Sequence, residues 1–430
     1  MHTKFIPASL LRVLMMVSVL CVPAALSQDI AQDDAQADAT DTVANIATDD
    51  STNFAKDMPA AYVTSSHQIL AYNRAIKETE SREGAYGSSL SESLLGLALI
   101  LQSQGRHDEA IKLFKRGAHL ARINEGLHCE QQLPFVRGEI ASQKAQQNYA
   151  QADQRQNYLY HIQTKSIGSD AALADAHMEY AQWQYDVYQL GLEEKNYARL
   201  IDMWELYRLA FNDIVSREGK TSPNLLPPLH GMLQTQYLIS SYVIPPSTPV
   251  FGEEGQIDED LLRFRTYHNQ SYKHGNAIIE AIAGIEQERS PPDSPNHARV
   301  LVMLGDWRLW NGKNTAALEA YREAETELAR TADAQAQTQQ LFGEPVALPD
   351  IADMSLLPPE VEPNESAVTL AFGVTEYGRV QDVERLDNNE EDDTQAFRLM
   401  RQLRKITFRP RFEAGQPVET EKLVKAFQIQ

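Results

Sequence analysis

The sequence predicts a mostly α chain, a helical-repeat solenoid followed by a small carboxy-terminal α+β domain with a three- or four-stranded antiparallel sheet and one or two helices. Three observations carry that expectation. From about Tyr62 to about residue 335, apolar residues recur at spacings of three and four, punctuated by Gly and Pro. One pattern of small and large residues occurs twice within that stretch, near Leu94 and again near Arg299. Beyond a Pro-rich stretch the period switches to alternation, starting at Val368.

Length and charge bound the rest. At 430 residues the chain is too long for one ordinary core and implies two or three units of roughly 100–200 residues. With 43% hydrophobic and 8% aromatic residues there is enough apolar surface to bury. The formal charge of −21, with scattered Lys and Arg, argues against nucleic acid as a ligand, since phosphate binding needs basic patches.

At the amino terminus, Lys4 and Arg12 precede the apolar run Val13 to Val22. Pro23 and the small-residue site Ala25-Leu26-Ser27 follow, just before Gln28. This layout is that of a secretory signal peptide over residues 1–27, so the expected location is the periplasm. The alternative is an uncleaved inner-membrane anchor facing the periplasm, but crossing a bilayer takes about 20 apolar residues and this run lasts about 14. Lipidation at Cys21 is disfavoured by the bulky Leu20 before it. With the peptide removed, Cys129 is the last cysteine and no intramolecular disulfide can form, so a buried structural thiol is expected there.

Residues 28–61, rich in Asp, Ala, Thr and Gln, read as a disordered acidic linker that cannot bury enough to offset its ordering entropy. The helical-repeat domain follows over 62–335. Its clearest copy holds Leu94, Leu97, Ala98 and Leu101, then Gly105, Ala110, Phe114 and Gly117. These spacings describe two antiparallel helices whose small residues let the axes approach. Leu301, Leu304, Gly305, Gly312, Ala317, Tyr321 and Ala324 repeat the offsets. The pattern resembles a tetratricopeptide repeat. Between the copies, Tyr149–Tyr160, Ala171–Leu190 and Asn196–Phe211 keep helical periodicity and read as diverged helix pairs, because an isolated pair cannot bury its apolar face. Loops at Ser222-Pro223 with Pro227-Pro228, and from Ile244-Pro245-Pro246 to Gly255, bracket a further helix at His230–Tyr242.

A linker over 336–365 contains Pro345, Pro349, Pro358, Pro359 and Pro363, and is expected to be semi-extended and to keep the last domain at a distance. In the domain 366–430, Val368, Leu370, Phe372 and Val374 alternate as a strand. Tyr377-Gly378 turns into Arg379–Leu386, and Ala396, Phe397, Met400 and Leu403 form one helical face. Thr407–Phe412 and Leu423–Ile429 are two further strands around the Ala414-Gly415 turn, with Phe372, Phe397, Phe408 and Phe427 as core aromatics. The combination of Val368–Val374, Gly378-Arg379-Val380 with Val383, Arg404, Phe408-Arg409-Pro410, Gly415-Gln416-Pro417-Val418 and Leu423-Val424 with Phe427 resembles the carboxy-terminal domain of TonB-type energy transducers. That resemblance implies docking of a short extended peptide of an outer-membrane receptor as an added strand. By position it makes Leu423–Ile429 the free edge, with Leu423, Val424, Lys425, Phe427 and Ile429 as partner contacts.

No catalytic or metal constellation stands above background: there is no His-Glu-x-x-His, paired Cys-x-x-Cys, phosphate loop or Gly-x-Ser-x-Gly. His107, His119, His128 and His161 lack ligand spacing, and Glu390-Glu391-Asp392-Asp393 reads as an acidic helix start rather than a calcium site. No enzyme activity, cofactor or metal is therefore expected. The first helix of each repeat pair lines a groove in tetratricopeptide arrays, which makes Gln102, Asp306 and Trp310 candidate partner contacts; Trp310 reads equally well as packed against the next helix. The expected function is a non-catalytic periplasmic interaction scaffold, accessory to envelope transport, that binds protein or peptide partners. The alternative is a TonB-type energy transducer with an uncleaved anchor, touching the membrane through that segment alone.

Overall fold

The computed structural model describes residues 60–168, 171–192, 196–244, 258–291, 293–351, 354–364, 367–387 and 393–428. The expected signal peptide, all but the last residues of the acidic linker, Glu390 to Asp392 and Ile429 lie outside the described residues. Among those described, no helix is long and apolar enough to cross a membrane. The chain divides into two compact units, Met1–Ser166 and Ile167–Gln430.

In the first unit, α1 (Ala60–Glu83) precedes two helix pairs, α2 (Leu90–Ser103) with α3 (His107–Glu125) and α4 (Leu133–Ala145) with α5 (Tyr149–Ser166). One turn is used in both. At Gly105 (φ +74°) the N–H donates to the Gln102 carbonyl and the next N–H, of Arg106, to that of Leu101. At Gln147 (φ +61°) the same two bonds run to Lys144 and, from Asn148, to Gln143. These are left-handed caps that satisfy carbonyls orphaned at a helix end. Five residues past each turn stands an Ala of zero exposure, Ala110 or Ala152, where only a small side chain fits between the paired axes. The pairs then interlock, because Phe135 of α4 lies against Gly117 of α3 while Phe114 of α3 lies against Gly138 of α4. Leu90, Leu94, Leu97, Phe114, Val136 and Ile162 centre the core. Cys129 is only half-buried, its thiol donating to the Ala121 carbonyl at 3.3 Å, so the fully buried thiol expected from sequence is a half-buried one.

The second unit begins with α6 (Ala171–Leu190), α7 (Tyr197–Glu218), α8 (Leu226–Ser241) and α9 (Glu259–Arg289). Pro227 and Pro228 fall in the first turn of α8, where a missing N–H costs nothing, and the helix is buried almost throughout from Pro228 to Ile239. α9 starts at Asp258, whose carboxylate accepts from the Leu261 N–H at 3.0 Å. α10 (Pro295–Trp310) and α11 (Asn314–Leu328) then repeat the pair geometry of the first unit. Gly312 (φ +71°) donates to the Leu309 carbonyl, Lys313 donates to Arg308, and Ala317 is fully buried five residues on. The molecule is thus a tetratricopeptide-like helical-repeat protein with a small α+β terminal region.

The Pro-rich segment is not a spacer. After α12 (Ala334–Phe342) it contributes β1 (Val346–Ala347) and β2 (Glu360–Val361), pairing with β5 (Phe408–Arg409) and β8 (Thr420–Gln428). Phe342 and Leu348 enter one cluster with Tyr321, Ala324 and Phe412, in which Phe412 lies 5.5 Å from Tyr321 and 5.1 Å from Phe342, ring to ring. Prolines are compatible with this because each strand is two residues long and the rings fall outside it. Burial of those aromatics ties the terminal domain to the last helix pair, where sequence reading held the two apart.

The main sheet has the order β2-β8-β3-β4, antiparallel throughout, with β3 at Ala367–Val374 and β4 at Val380–Arg385. Gly378 (φ +76°) makes the turn between β3 and β4, and a Cβ there would overlap the Phe408 carbonyl oxygen. α13 (Asp393–Leu403) buries Ala396, Leu399 and Leu403 against Val368, Leu370, Phe372, Phe408 and Phe427. Phe397 is 59% exposed rather than in the core, since the buried face is set by the three-and-four spacing of Ala396, Leu399 and Leu403. The strand expected at Thr407–Phe412 breaks at Pro410 into β5 and β6 (Arg411–Glu413). β6 and β7 (Gln416–Val418) form a hairpin on Ala414 and Gly415, both at positive φ as a two-residue turn requires.

Candidate functional site

β8 is not a free margin along its whole length, which corrects the expectation for Leu423–Ile429. β3 flanks it on one side, and on the other β2 pairs Glu360 with Phe427 and Val361 with Ala426. The Gln428 N–H donates to the Pro359 carbonyl at 2.9 Å. In an antiparallel ladder the N–H and C=O of one residue share a side and alternate along the strand, so Ala426 and Val424 also turn theirs away from β3. The other side of β3 agrees: the Leu386 N–H donates to the Thr369 carbonyl, whose residue opposes Ala426. On the side away from β3, among the described residues, no strand pairs with Thr420–Lys425 beyond the end of β2. The backbone groups of Val424 therefore face outward from a ladder that stops one step short of them, and its side chain is 52% exposed.

Beside this edge lies a cleft of about 530 Å³, walled by Pro345, Val346, Pro359, Phe408, Lys425 and Phe427 among others. Leu423 and Phe427 turn into the terminal core, and Phe427 is 2% exposed. Lys425 Nζ meets Glu360 Oε2 at 2.8 Å, with side-chain exposures of 22% and 54%. Of the sequence-derived contacts, Leu423, Val424, Lys425 and Phe427 thus fall together.

The other three do not join them. Gln102 spans α2 and α4, donating to the Gly138 carbonyl and the Ser142 hydroxyl, both at 2.8 Å. Asp306 is 3% exposed and faces inward. Its carboxylate accepts from Arg409 at 2.9 Å and from the Tyr321 hydroxyl at 2.8 Å, while Arg409 also meets Asp350 at 2.8 Å. A residue expected on a groove is instead the anchor of a buried ion pair, because Arg409 of β5 reaches α10 and needs a counter-charge. Burial pushes the Asp306 carboxyl up to about 6 despite the opposing pull of Arg409, and the two carboxylates hold Arg409 charged. Trp310 donates to the Ser240 hydroxyl at 2.9 Å and stands edge-on to Tyr237, the packed alternative of its two readings.

Glu360 and Asp350 were not singled out in the sequence, and Arg409 entered only within Phe408-Arg409-Pro410, with no partner assigned. For Arg409 the local signal was misleading, because Phe408-Arg409-Pro410-Arg411-Phe412 carries two arginines that alternate with the aromatics and read as a solvent-facing side. Glu360 carried none, since its prolines read as linker. Among the described residues no group of three or more His, Cys, Asp or Glu is placed to hold a metal ion.

No family model matches the chain, and no curated protein matches it. Solved structures similar to it include BtubC (BKLC) from P. vanneervenii, 12% identical, covering 62% of this chain and 91% of that one at a TM-score of 0.35. A Podosopora anserina putative kinesin light chain with nearly identical TPR-like repeats is 14% identical, covering 56% of this chain and 96% of that one at a TM-score of 0.37. The repeat assignment rests on the three matching turns and the packing after them.

Proposed function

We propose that the chain is a non-catalytic scaffold of the periplasm, accessory to envelope transport, that holds one protein partner on its helical repeats and docks another by strand addition at β8. The observation that carries the docking is the interrupted ladder: β2 ends at Val361, and the N–H and C=O of Val424 point outward from the next position. The resemblance of residues 366–430 to TonB-type terminal domains supports a peptide of an outer-membrane receptor as the added strand, and the layout of residues 1–27 supports export.

Val424→Pro tests the docking. Proline removes the outward N–H but is tolerated where a strand's donor faces solvent, so the circular dichroism spectrum is retained while capture of a receptor peptide is lost. Capture that survives the substitution rejects strand addition at this edge. The mass of the mature chain tests export: a start near Gln28 is expected, and retention of Met1 favours an anchored transducer.

A further inference from the structure

The geometry points to an extended, acidic, proline-flanked peptide as the partner of the β8 edge, because the chain's own β2 occupies the end of that edge in this form. The inference rests on the strand addition proposed above and gives the partner its chemistry. β2 is Glu360–Val361 alone, preceded by Pro358-Pro359 and followed by Glu362-Pro363. Prolines on both sides cannot donate to a ladder, so β2 covers Ala426 to Gln428 and stops.

Its specific contact is the carboxylate. Lys425 lines the cleft with Phe408 and Phe427, its side chain 22% exposed, and an ammonium partly withdrawn from water favours a counter-charge. Glu360 supplies it from the exposed side at 2.8 Å. Glu419, the nearest acidic group before β8, is engaged by Gln381 on the β4 side. Lys422, exposed further along the strand, stands next to the equally exposed Glu421, so the selecting charge is that of Lys425. Any strand that displaces β2 must bring the carboxylate that β2 brings. As a tethered competitor β2 acts at an effective concentration on the order of millimolar, so it also screens out weak ligands.

The test uses the full chain and two labelled synthetic peptides. One copies residues 355–364, Ser-Leu-Leu-Pro-Pro-Glu-Val-Glu-Pro-Asn, and the other carries Gln for both glutamates. In the host, Glu360→Gln with Val361→Pro frees the edge. The freed chain is expected to bind the acidic peptide about tenfold tighter than the unmodified chain does, and about tenfold tighter than it binds the Gln peptide. Adding Lys425→Gln removes that preference. Equal binding of the two peptides to the freed chain overturns the acidic partner and leaves strand addition standing; binding of neither overturns both. Should the freed host not fold, titrating both peptides at millimolar concentration against the unmodified chain gives the same comparison, and a ratio of one overturns the inference.

Discussion

Arg409 shows how one residue sets the terminal architecture. It is 2% exposed and bridges β5 to α10 through Asp306 and to the Pro-rich segment through Asp350. Burial raises the Asp306 carboxyl from 3.8 to about 6, so the folded chain holds that proton more tightly than the unfolded chain, and this group's contribution falls as pH rises through that window. The pair therefore fixes position rather than adding stability. Arg409→Met is expected to cost about 3 kcal/mol in urea denaturation by leaving Asp306 without its cation, and combining it with Asp306→Leu should recover most of the loss. A double variant no better than the single one would contradict this. His274 gives a pH signature of opposite sign. Stacked 5.4 Å from Trp204, with Tyr267 tilted beside it, its ring has a pKa lowered by burial and by Lys273. The unfolded chain takes up that proton first, near 6.5, so stability is lost as pH falls below it. The melting temperature of His274→Phe relative to the natural chain should rise between about pH 7.5 and about pH 5.5; a constant difference would show that the ring does not resist protonation.

Among the elements, helix pairs were legible where a turn glycine was followed by the full series of small and large residues; Gly191 turns between α6 and α7 without that series, and that pair read only as diverged. Gly105 and Gly312 announced α2/α3 and α10/α11, but α4/α5 uses Gln147 at the same positive φ, with Gln156 and Leu159 where the other pairs have an aromatic and a small residue. Hydrogen bonds conserved the turn while the residue types changed. Gln147→Gly is accordingly expected to stabilise the first unit by about 1 kcal/mol, relieving the left-handed Cβ contact, whereas Gly105→Ala should destabilise it by a similar amount. No shift of the urea midpoint for either variant would mean the turns are not equivalent. β3, β4 and the Ala414-Gly415 turn were also legible, because alternation and positive-φ residues are local. β1 and β2 were not: two-residue strands have no period, and only long-range pairing creates them.

For the whole molecule, the Pro-rich stretch is no spacer: the β6–β7 hairpin is tied to the last helix pair by Phe412, which joins Tyr321 and Phe342 in one cluster, while the four-stranded sheet keeps a core of its own. The strand addition proposed at β8 would therefore take place on a domain tied to the helices by Phe412 and by the Arg409–Asp306 ion pair, a platform in place of a free tether. The Pro-rich stretch also confines the free backbone to a short stretch, since β2 covers Ala426 and leaves Val424 open. Hydrogen exchange resolved to single amides tests this most directly. The account predicts that the Val424 amide exchanges rapidly while the Ala426 amide, bonded within the β2 ladder, is strongly protected. Equal protection of the two would contradict an open edge at β8.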